Sequence, residues 1–459
     1  MVFVQKGAES MKGIKRLAAG LLAALAASLL SGCSIVGLDV ENKLRPPRGT
    51  GEQEAIQQAL ESYIRSAEKS SSYLLKYPKS GDYRSAFIVD DFDRDGEQEA
   101  YAFYRPGQEN RKTHVNYLRK VEGQWKSVAD TEGYGSEIGE VMLGDLSGNG
   151  VQELCVGWQQ YGTTDREMVL YSLSSSGLIA QDAGAYSVAL TADLTASGSD
   201  SLLLLGVGAE ETVTARLWSM RSGELKELGM TRLDGSIVRF SNLQPVKLAD
   251  GVAGGYVDGV RESGAMVTEL IYWEDGQLFA PFYQPDSNRT TITVRESGIP
   301  AMDVDGDGQV EWPVSSRMNG YGDVPVSEAL WITRWQTWDY ATRTVQTKYF
   351  DYVNLRDRYS LRADEVFWQG VTGLYNKDSH ILTISTYEGE ITDAGIGSVA
   401  ETGSVVLQLQ AVALGESSQA QWGTLVSTSA TTAYYAQTGN LPGYDLTLDK
   451  LGYMLTILP

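Results

Sequence analysis

The sequence predicts a mainly β fold, a β-propeller of about five blades with a small C-terminal α+β domain. Three observations predict it. An acidic loop recurs as DFDRDGEQEA from Asp91, DLSGNGVQEL from Asp145, DLTASGSDSL from Asp193 and DVDGDGQVEW from Asp303, with an eroded copy, LADGVAGGYV, around Asp250. The intervals are 54, 48, 57 and 53 residues, a period suited to a blade of several short strands. Each loop follows an apolar run (SAFIVD, EVMLGD, SVALTAD, PVKLAD, IPAMD), and the first three lead straight into another (EAYAFY, ELCVGW, SLLLLGV). Finally, 49 glycines against 12 prolines suit a chain with many tight turns. Six or seven blades are the alternatives, with further copies eroded past recognition.

Taken in order, MKGIKRLAAGLLAALAASLLSGC reads as an export signal: Lys12, Lys15 and Arg16 precede a short apolar run from Leu17 to Leu30. That run is too short for a comfortable permanent span. Leu30-Ser31-Gly32-Cys33 resembles the bacterial lipobox, which implies cleavage of residues 1–32 and lipid on Cys33. Residues 33–53, with Pro46-Pro47, read as a lipidated tether. Residues 54–80 begin with an amphipathic helix carrying Ile56, Leu60, Tyr63, Ile64 and Ala67 on one face, expected to pack on the first repeat. The repeats occupy 81–350. Beyond residue 350 the period stops, and 351–459 are expected to form the C-terminal domain. DLTLDKLGYMLTIL reads there as a short helix or a last strand.

The Asp-x-Asp-x-Asp-Gly-x-x-Glu loops between apolar strands resemble those of FG-GAP or VCBS-type propellers, the family of repeats also seen in integrin α-chain heads. The resemblance covers roughly residues 81–350 and is specific in the loops at Asp91, Asp145 and Asp303.

The chemistry of these loops is that of a hard cation. Calcium takes six to eight oxygens from a flexible loop, and alternating carboxylates followed by a glycine can curl around one ion. In the first loop the ligands are expected to be Asp91, Asp93, Asp95, the Glu97 carbonyl and Glu99. In the second they are Asp145, Ser147, Asn149, the Val151 carbonyl and Glu153; in the one at Asp303 they are Asp303, Asp305, Asp307, the Gln309 carbonyl and Glu311. The loop at Asp193 places Ser201 at the ninth position and is expected to hold no ion. An EF-hand would need a glutamate at position twelve, where Ala102 and Val314 stand instead. A plain Asx turn without metal is the competing explanation for all the loops.

A formal net charge of −21 argues against nucleic acid and against an anionic surface as partner. Removing residues 1–32 would take four basic residues and one acidic residue, leaving the chain more acidic still. Cys155, in ELCVGW, is expected to be a buried thiol. His114 and His380 lie far apart and read as surface residues at strand ends, which removes most zinc sites and triads. No nucleotide-loop or nucleophile-elbow motif occurs. Trp331, Trp335, Trp338 and Tyr340 either line a ligand face or fill gaps between blades. The expectation is a lipid-anchored, extracytoplasmic, non-catalytic binding or scaffold protein with calcium-stabilised loops. It would meet the membrane through Cys33 and a protein or glycan through a surface still unassigned. The alternative is a surface enzyme, or an enzyme accessory, acting on polysaccharide; a purely structural envelope role is a third reading.

Overall fold

A computed structural model describes residues 51–67, 72–107, 112–322, 324–389, 402–420, 422–439, 441, 443–444 and 446–458. The export signal, the lipobox and Cys33 lie outside the described residues. The chain divides into two compact units, Met1–Gln58 and Ala59–Pro459. The described part of the first is the start of the helix Glu52–Ala67. In the second unit Leu60 and Ile64 on that helix are buried, and the Tyr73 hydroxyl donates to Glu61 at 2.9 Å. Among the described residues no helix is long and apolar enough to cross a membrane.

The second unit is a β-propeller built from successive antiparallel sheets. The first holds Phe87–Asp90, Glu99–Pro106, His114–Val121 and Gln124–Glu132, with Tyr73–Leu75 extending its inner edge. The second holds Glu137–Gly144, Glu153–Gln159, Arg166–Ser174 and Gly177–Tyr186; the third, Val188–Ala192, Ser201–Val207, Val213–Arg221 and Glu224–Arg232. The fourth holds Ile237–Ala249, Val252–Arg261, Met266–Glu274 and Gln277–Phe279. Consecutive strands pair by short hairpins. Glu122-Gly123, Ser222-Gly223 and Asp275-Gly276 turn with both residues at positive φ, as the tightest hairpins require.

The second strand of each sheet explains the apolar runs. Glu99–Pro106 and Glu153–Gln159 are buried almost end to end, because a blade's inner strands are covered on both faces by neighbouring blades. The outermost strands, such as Glu224–Arg232, are mostly exposed or half-buried. One apolar core lies at each junction. Tyr101, Phe103, Leu154 and Val156 pack between the first and second sheets; Cys155, Leu170, Leu202 and Leu204 pack between the second and third. Cys155 is fully buried, and burial pushes its thiol well above its ordinary range.

The fifth sheet holds Trp312–Arg317, Trp331–Asp339 and Thr344–Asn354. Its first strand is reduced to one bridge, Met302 to Glu311. Two features identify it as a further repeat. The residue before the first loop aspartate pairs with the ninth loop position in four sheets: Asp90 with Glu99, Gly144 with Glu153, Ala192 with Ser201 and Met302 with Glu311. A register shift also recurs between the two strands that follow, at Tyr117/Leu118, Met168/Val169, Leu217/Trp218 and Trp335/Gln336.

Thr344–Asn354 runs through residue 350, so this sheet continues past the point where the sequence period stops. Tyr359–Ala363 adds to it, and Leu455–Ile457 from the chain's end closes the edge. The sixth sheet comprises Val371–Asn376, Ile381–Tyr387, Thr402–Ala413, Thr432–Thr438 and Thr424–Thr428. With the helices Glu365–Gln369 and Leu448–Met454 it forms the C-terminal α+β region, and it shares one core with the fifth sheet through Leu361, Phe367, Leu407 and Tyr434. The last stretch is both things its sequence allowed, a helix to Met454 and then a strand from Leu455.

A buried polar network holds the fourth sheet. Asp234 accepts from Arg261 Nη2 at 2.5 Å and from the Thr290 N–H at 2.9 Å, and its own N–H donates to Glu269 at 2.9 Å. Burial acts to raise Asp234, but hydrogen bonds from Ser236, Thr290 and Arg261 hold it below its ordinary value. Burial raises Glu269 to about 7, against the opposing hydrogen bonds of Thr290 and the Asp234 N–H. The folded state therefore holds this proton when the unfolded chain has lost it, and stability falls as pH rises from about 4.5 to about 7. Glu269→Gln is expected to remove about 1–3 kcal/mol of that decline. Urea unfolding at pH 5 and pH 8 checks it, and an unchanged difference between the two pH values would refute it.

Candidate metal loops

Four loops share one backbone. The fourth position lies at positive φ in each (Arg94 58°, Gly148 69°, Ala196 52°, Gly306 77°), and so does the sixth (Gly96 93°, Gly150 87°, Gly198 80°, Gly308 84°). Glycine at the sixth position is the residue that takes this conformation without steric cost. The first aspartate then organises the turn. Asp91 accepts from the Asp95 and Gly96 N–H groups, both at 3.0 Å; Asp145 accepts from Asn149 and Gly150 at 3.0 and 2.9 Å; Asp193 accepts from Ser197 and Gly198 at 3.0 and 2.9 Å. Asp303 accepts from Gly308 at 2.9 Å and from Gly306 at 2.7 Å, one residue earlier than in the others. The loop at Asp193, with no acid at its ninth position, folds the same way. The first aspartate is thus a backbone acceptor in all four loops, including the one with no acid at its ninth position.

The ninth-position glutamate does a second job. Glu99 accepts from the Phe92 N–H at 3.0 Å, Glu153 from Leu146 at 2.8 Å and Glu311 from Val304 at 3.1 Å. All three are buried. Burial raises Glu99 to about 7, and the nearby Asp93, Asp95 and Asp91 charges add to it. The loops also interlock along the blades. The Gln152 N–H donates to the Phe92 carbonyl at 2.9 Å, and Asp200 exchanges two hydrogen bonds with the Asp145 backbone at 2.8 and 2.9 Å.

Convergence of carboxylates separates the loops. One oxygen each of Asp91, Asp93 and Glu99 lies within 4.8 Å of the others, and so does one each of Asp303, Asp305 and Glu311. Asp95 and Asp307, expected as the third side-chain ligands, stand outside these groups; each accepts from a loop N–H, of Glu97 and of Gln309, at 2.8 Å. The second loop offers only Asp145 and Glu153 as acids. Ser147 donates its N–H to Glu153 at 3.2 Å, and Asn149 accepts from the Val151 N–H at 2.7 Å.

The loop at Asp303 already contains a cation. Lys348, from the fifth sheet, places its ammonium 2.6 Å from Asp307, 2.9 Å from Glu311 and 3.5 Å from Asp305. Tyr349 adds a hydroxyl to Asp305 at 2.7 Å. Burial opposes the charge on Lys348, but Asp307, Glu311 and Asp305 outweigh it and hold the ammonium well above its ordinary range. Burial raises Glu311 in turn, with Lys348 pulling the other way. In the loop at Asp91, by contrast, Asp91, Asp93 and Glu99 enter no ion pair among the described residues; Lys120 reaches Glu97 at 3.8 Å. The residues of the first loop therefore fit a divalent cation, while in the loop at Asp303 one ammonium already sits among the four acids.

Other expectations change. The copy around Asp250 is a two-residue hairpin, Asp250-Gly251, between Ile237–Ala249 and Val252–Arg261, because Ala249 pairs directly with Val252; Asp250 pairs with Lys247 at 2.7 Å. His114 is buried rather than on the surface, 2.8 Å from Asp130, because its strand begins inside the blade. His380 lines a groove at the tips of the fifth and sixth sheets, 2.6 Å from Asp357, a pairing that no local motif signals. The aromatic stretch is spent on packing. Trp335 is buried, Trp338 stacks edge-on against Phe282 at 5.5 Å, Tyr340 meets Tyr272 at 5.7 Å, and Arg317 lies over Trp331 at 5.2 Å.

No family model matches the chain, and no curated protein matches it. Among solved structures it is similar to the periplasmic gluconolactonase PpgL of Pseudomonas aeruginosa, at 12% identity over 72% of this chain and 96% of that one, with a TM-score of 0.31. It is similar to a rhamnogalacturonan lyase, PL11, of Bacillus licheniformis, at 10% identity over 69% and 70%, TM-score 0.29. A third is the Dos1 propeller, at 9% identity over 67% and 65%, TM-score 0.27. Likeness at this level bears on neither activity nor ligand.

Proposed function

We propose that the protein is a lipid-anchored, extracytoplasmic, non-catalytic binding or scaffold module of FG-GAP/VCBS-type repeats, with calcium as a structural ion in the loop at Asp91. The observation that carries the calcium reading is the convergence of Asp91, Asp93 and Glu99 without a cationic side chain among them. Close carboxylates repel one another, and a divalent ion between them removes that cost. The ion's role is to tighten a corner already shaped by Asp91, and chemistry at a substrate is not required of it. The scaffold reading is supported by the use of the remaining loop acids as backbone acceptors and inter-blade ties.

At millimolar calcium and a Kd near 0.1 mM, one such site adds about 1.4 kcal/mol. The chain from Ser34 onward is expected to melt about 1–3 °C higher in millimolar calcium than in chelator, and Asp93→Asn is expected to abolish the difference. A midpoint indifferent to calcium would sink the ion. Release of reducing ends from a polysaccharide panel would instead establish the enzyme alternative.

A further inference from the structure

A groove of about 660 Å³ opens where the tip of the fifth sheet meets the sixth. The turn after Thr344–Asn354 brings Arg356, Asp357 and Arg358; the turn after Val371–Asn376 brings Asp378, Ser379 and His380. Thr402–Ala413 contributes Gln410, and Glu416 and Thr432 lie along the rim. Its size is that of a small-molecule site.

The groove's centre is built rather than incidental. Asp357 is buried, and every acceptor it offers is engaged. Its Oδ1 meets His380 Nδ1 at 2.6 Å, and its Oδ2 accepts from the Tyr375 hydroxyl at 2.7 Å and from Asn354 Nδ2 at 3.3 Å. Its carbonyl accepts from the Tyr434 hydroxyl at 2.8 Å. A carboxylate accepts, so Nδ1 carries the proton and Nε2 is the ring's other polar edge. Arg358 and His380 each close a four-residue hairpin turn at positive φ, 56° and 54°, which fixes the two turn tips that face the groove.

The charges select the ligand. In a chain with 59 acidic and 38 basic residues, Arg356 and Arg358 form no ion pair among the described residues. Arg356, Arg358 and His380 line the one groove, and a guanidinium fork matches a planar oxyanion. Asp378 and Glu416 on the same lining disfavour a dianion, so one negative charge suits the site better than two. Those two carboxylates, with the hydroxyls of Ser379 and Thr432, are hydrogen-bonding partners for alcohols, while the Asn376 side-chain oxygen already accepts from the Asp378 and Ser379 N–H groups and Gln410 Nε2 donates to the Ser379 carbonyl. A short aliphatic acid would meet neither the two carboxylates nor the two hydroxyls.

We propose that the groove binds a polyhydroxylated monocarboxylate, a sugar acid of monosaccharide size, with Arg356 and Arg358 on the carboxylate and His380, fixed by Asp357, as a further donor or acceptor. The site is separate from the acidic loops, and its occupation does not depend on calcium.

Calorimetric titration of the full-length protein with sodium D-glucuronate tests it, with D-glucose, acetate and inorganic phosphate as comparators. Saturable glucuronate binding is expected, about tenfold or more tighter than glucose or acetate. The double variant R356Q/R358Q is expected to weaken glucuronate by about tenfold or more with an unchanged melting midpoint, since both side chains are exposed. His380→Gln is expected to weaken it less. Asp93→Asn is expected to leave it unchanged, which separates this site from the calcium reading. Absence of saturation with glucuronate, equal affinity in R356Q/R358Q, or tighter binding of phosphate than of glucuronate would each overturn the proposal.

Discussion

Asp258→Ala is expected to cost about 3–5 kcal/mol, the largest loss of any single substitution considered for this fold. Asp258 and Arg295 are both buried, and their side chains meet at 2.7 Å. Asp258 also accepts from the Thr268 hydroxyl at 2.6 Å and from the Ala301 N–H at 2.8 Å. Arg295 donates to the Ile299 carbonyl at 2.6 Å and to Thr268 at 2.9 Å. The pair thus ties the connection between the fourth and fifth sheets to the fourth sheet's core. Removing the carboxylate strands a guanidinium where water cannot reach it. The double variant Asp258→Ala/Arg295→Met is expected to recover part of the loss, because it removes the unpaired charge as well. Urea unfolding of the three proteins decides it. A loss below about 1 kcal/mol for the single variant would show that the network contributes little.

Lys348→Met is expected to cost about 2–4 kcal/mol in chelator and markedly less in millimolar calcium. Methionine keeps the volume of the stem but removes the charge, leaving Asp305, Asp307 and the fully buried Glu311 close together with nothing cationic between them. That is the condition of the loop at Asp91, so the variant should convert a loop with an internal ammonium into a more calcium-responsive one. Unfolding with and without calcium, on variant and parent, reads the difference. An equal loss in both conditions would mean that the loop's carboxylates cannot accept an ion, and a negligible loss would mean that the lysine contact contributes nothing.

The acidic loops were legible because their information is local. Aspartate at the first position and glycine at the sixth act over a few residues of backbone, so their spacing predicts the turn wherever it occurs. The buried second strands were legible too, since a strand covered on both faces reads as an unbroken apolar run. The reduced first strand at Met302 was visible through the loop attached to it. The copy at Asp250 misled, because an aspartate followed by glycine also serves a two-residue hairpin, and only the strand pairing tells the two apart.

What stayed hidden involves residues far apart in the chain. Lys348 lies dozens of positions after the carboxylates it contacts, and it belongs to a different strand. His380 finds Asp357 across two sheets, and His114 is buried by a blade that forms around it. Trp338 and Tyr340 fill a junction whose other half is supplied by Phe282 and Tyr272, while Trp331 packs against the core shared by the fifth and sixth sheets.

The sequence alone determined the fold class, the repeat spacing and the geometry of the acidic turns, because local backbone preference and apolar patterning act over a few residues. Tertiary structure decided which carboxylates receive an internal cation, which histidine is buried and which faces a groove, and how the chain's end closes the fifth sheet. Those outcomes depend on which distant side chains the sheet packing brings within a few ångströms, where charge and burial become decisive.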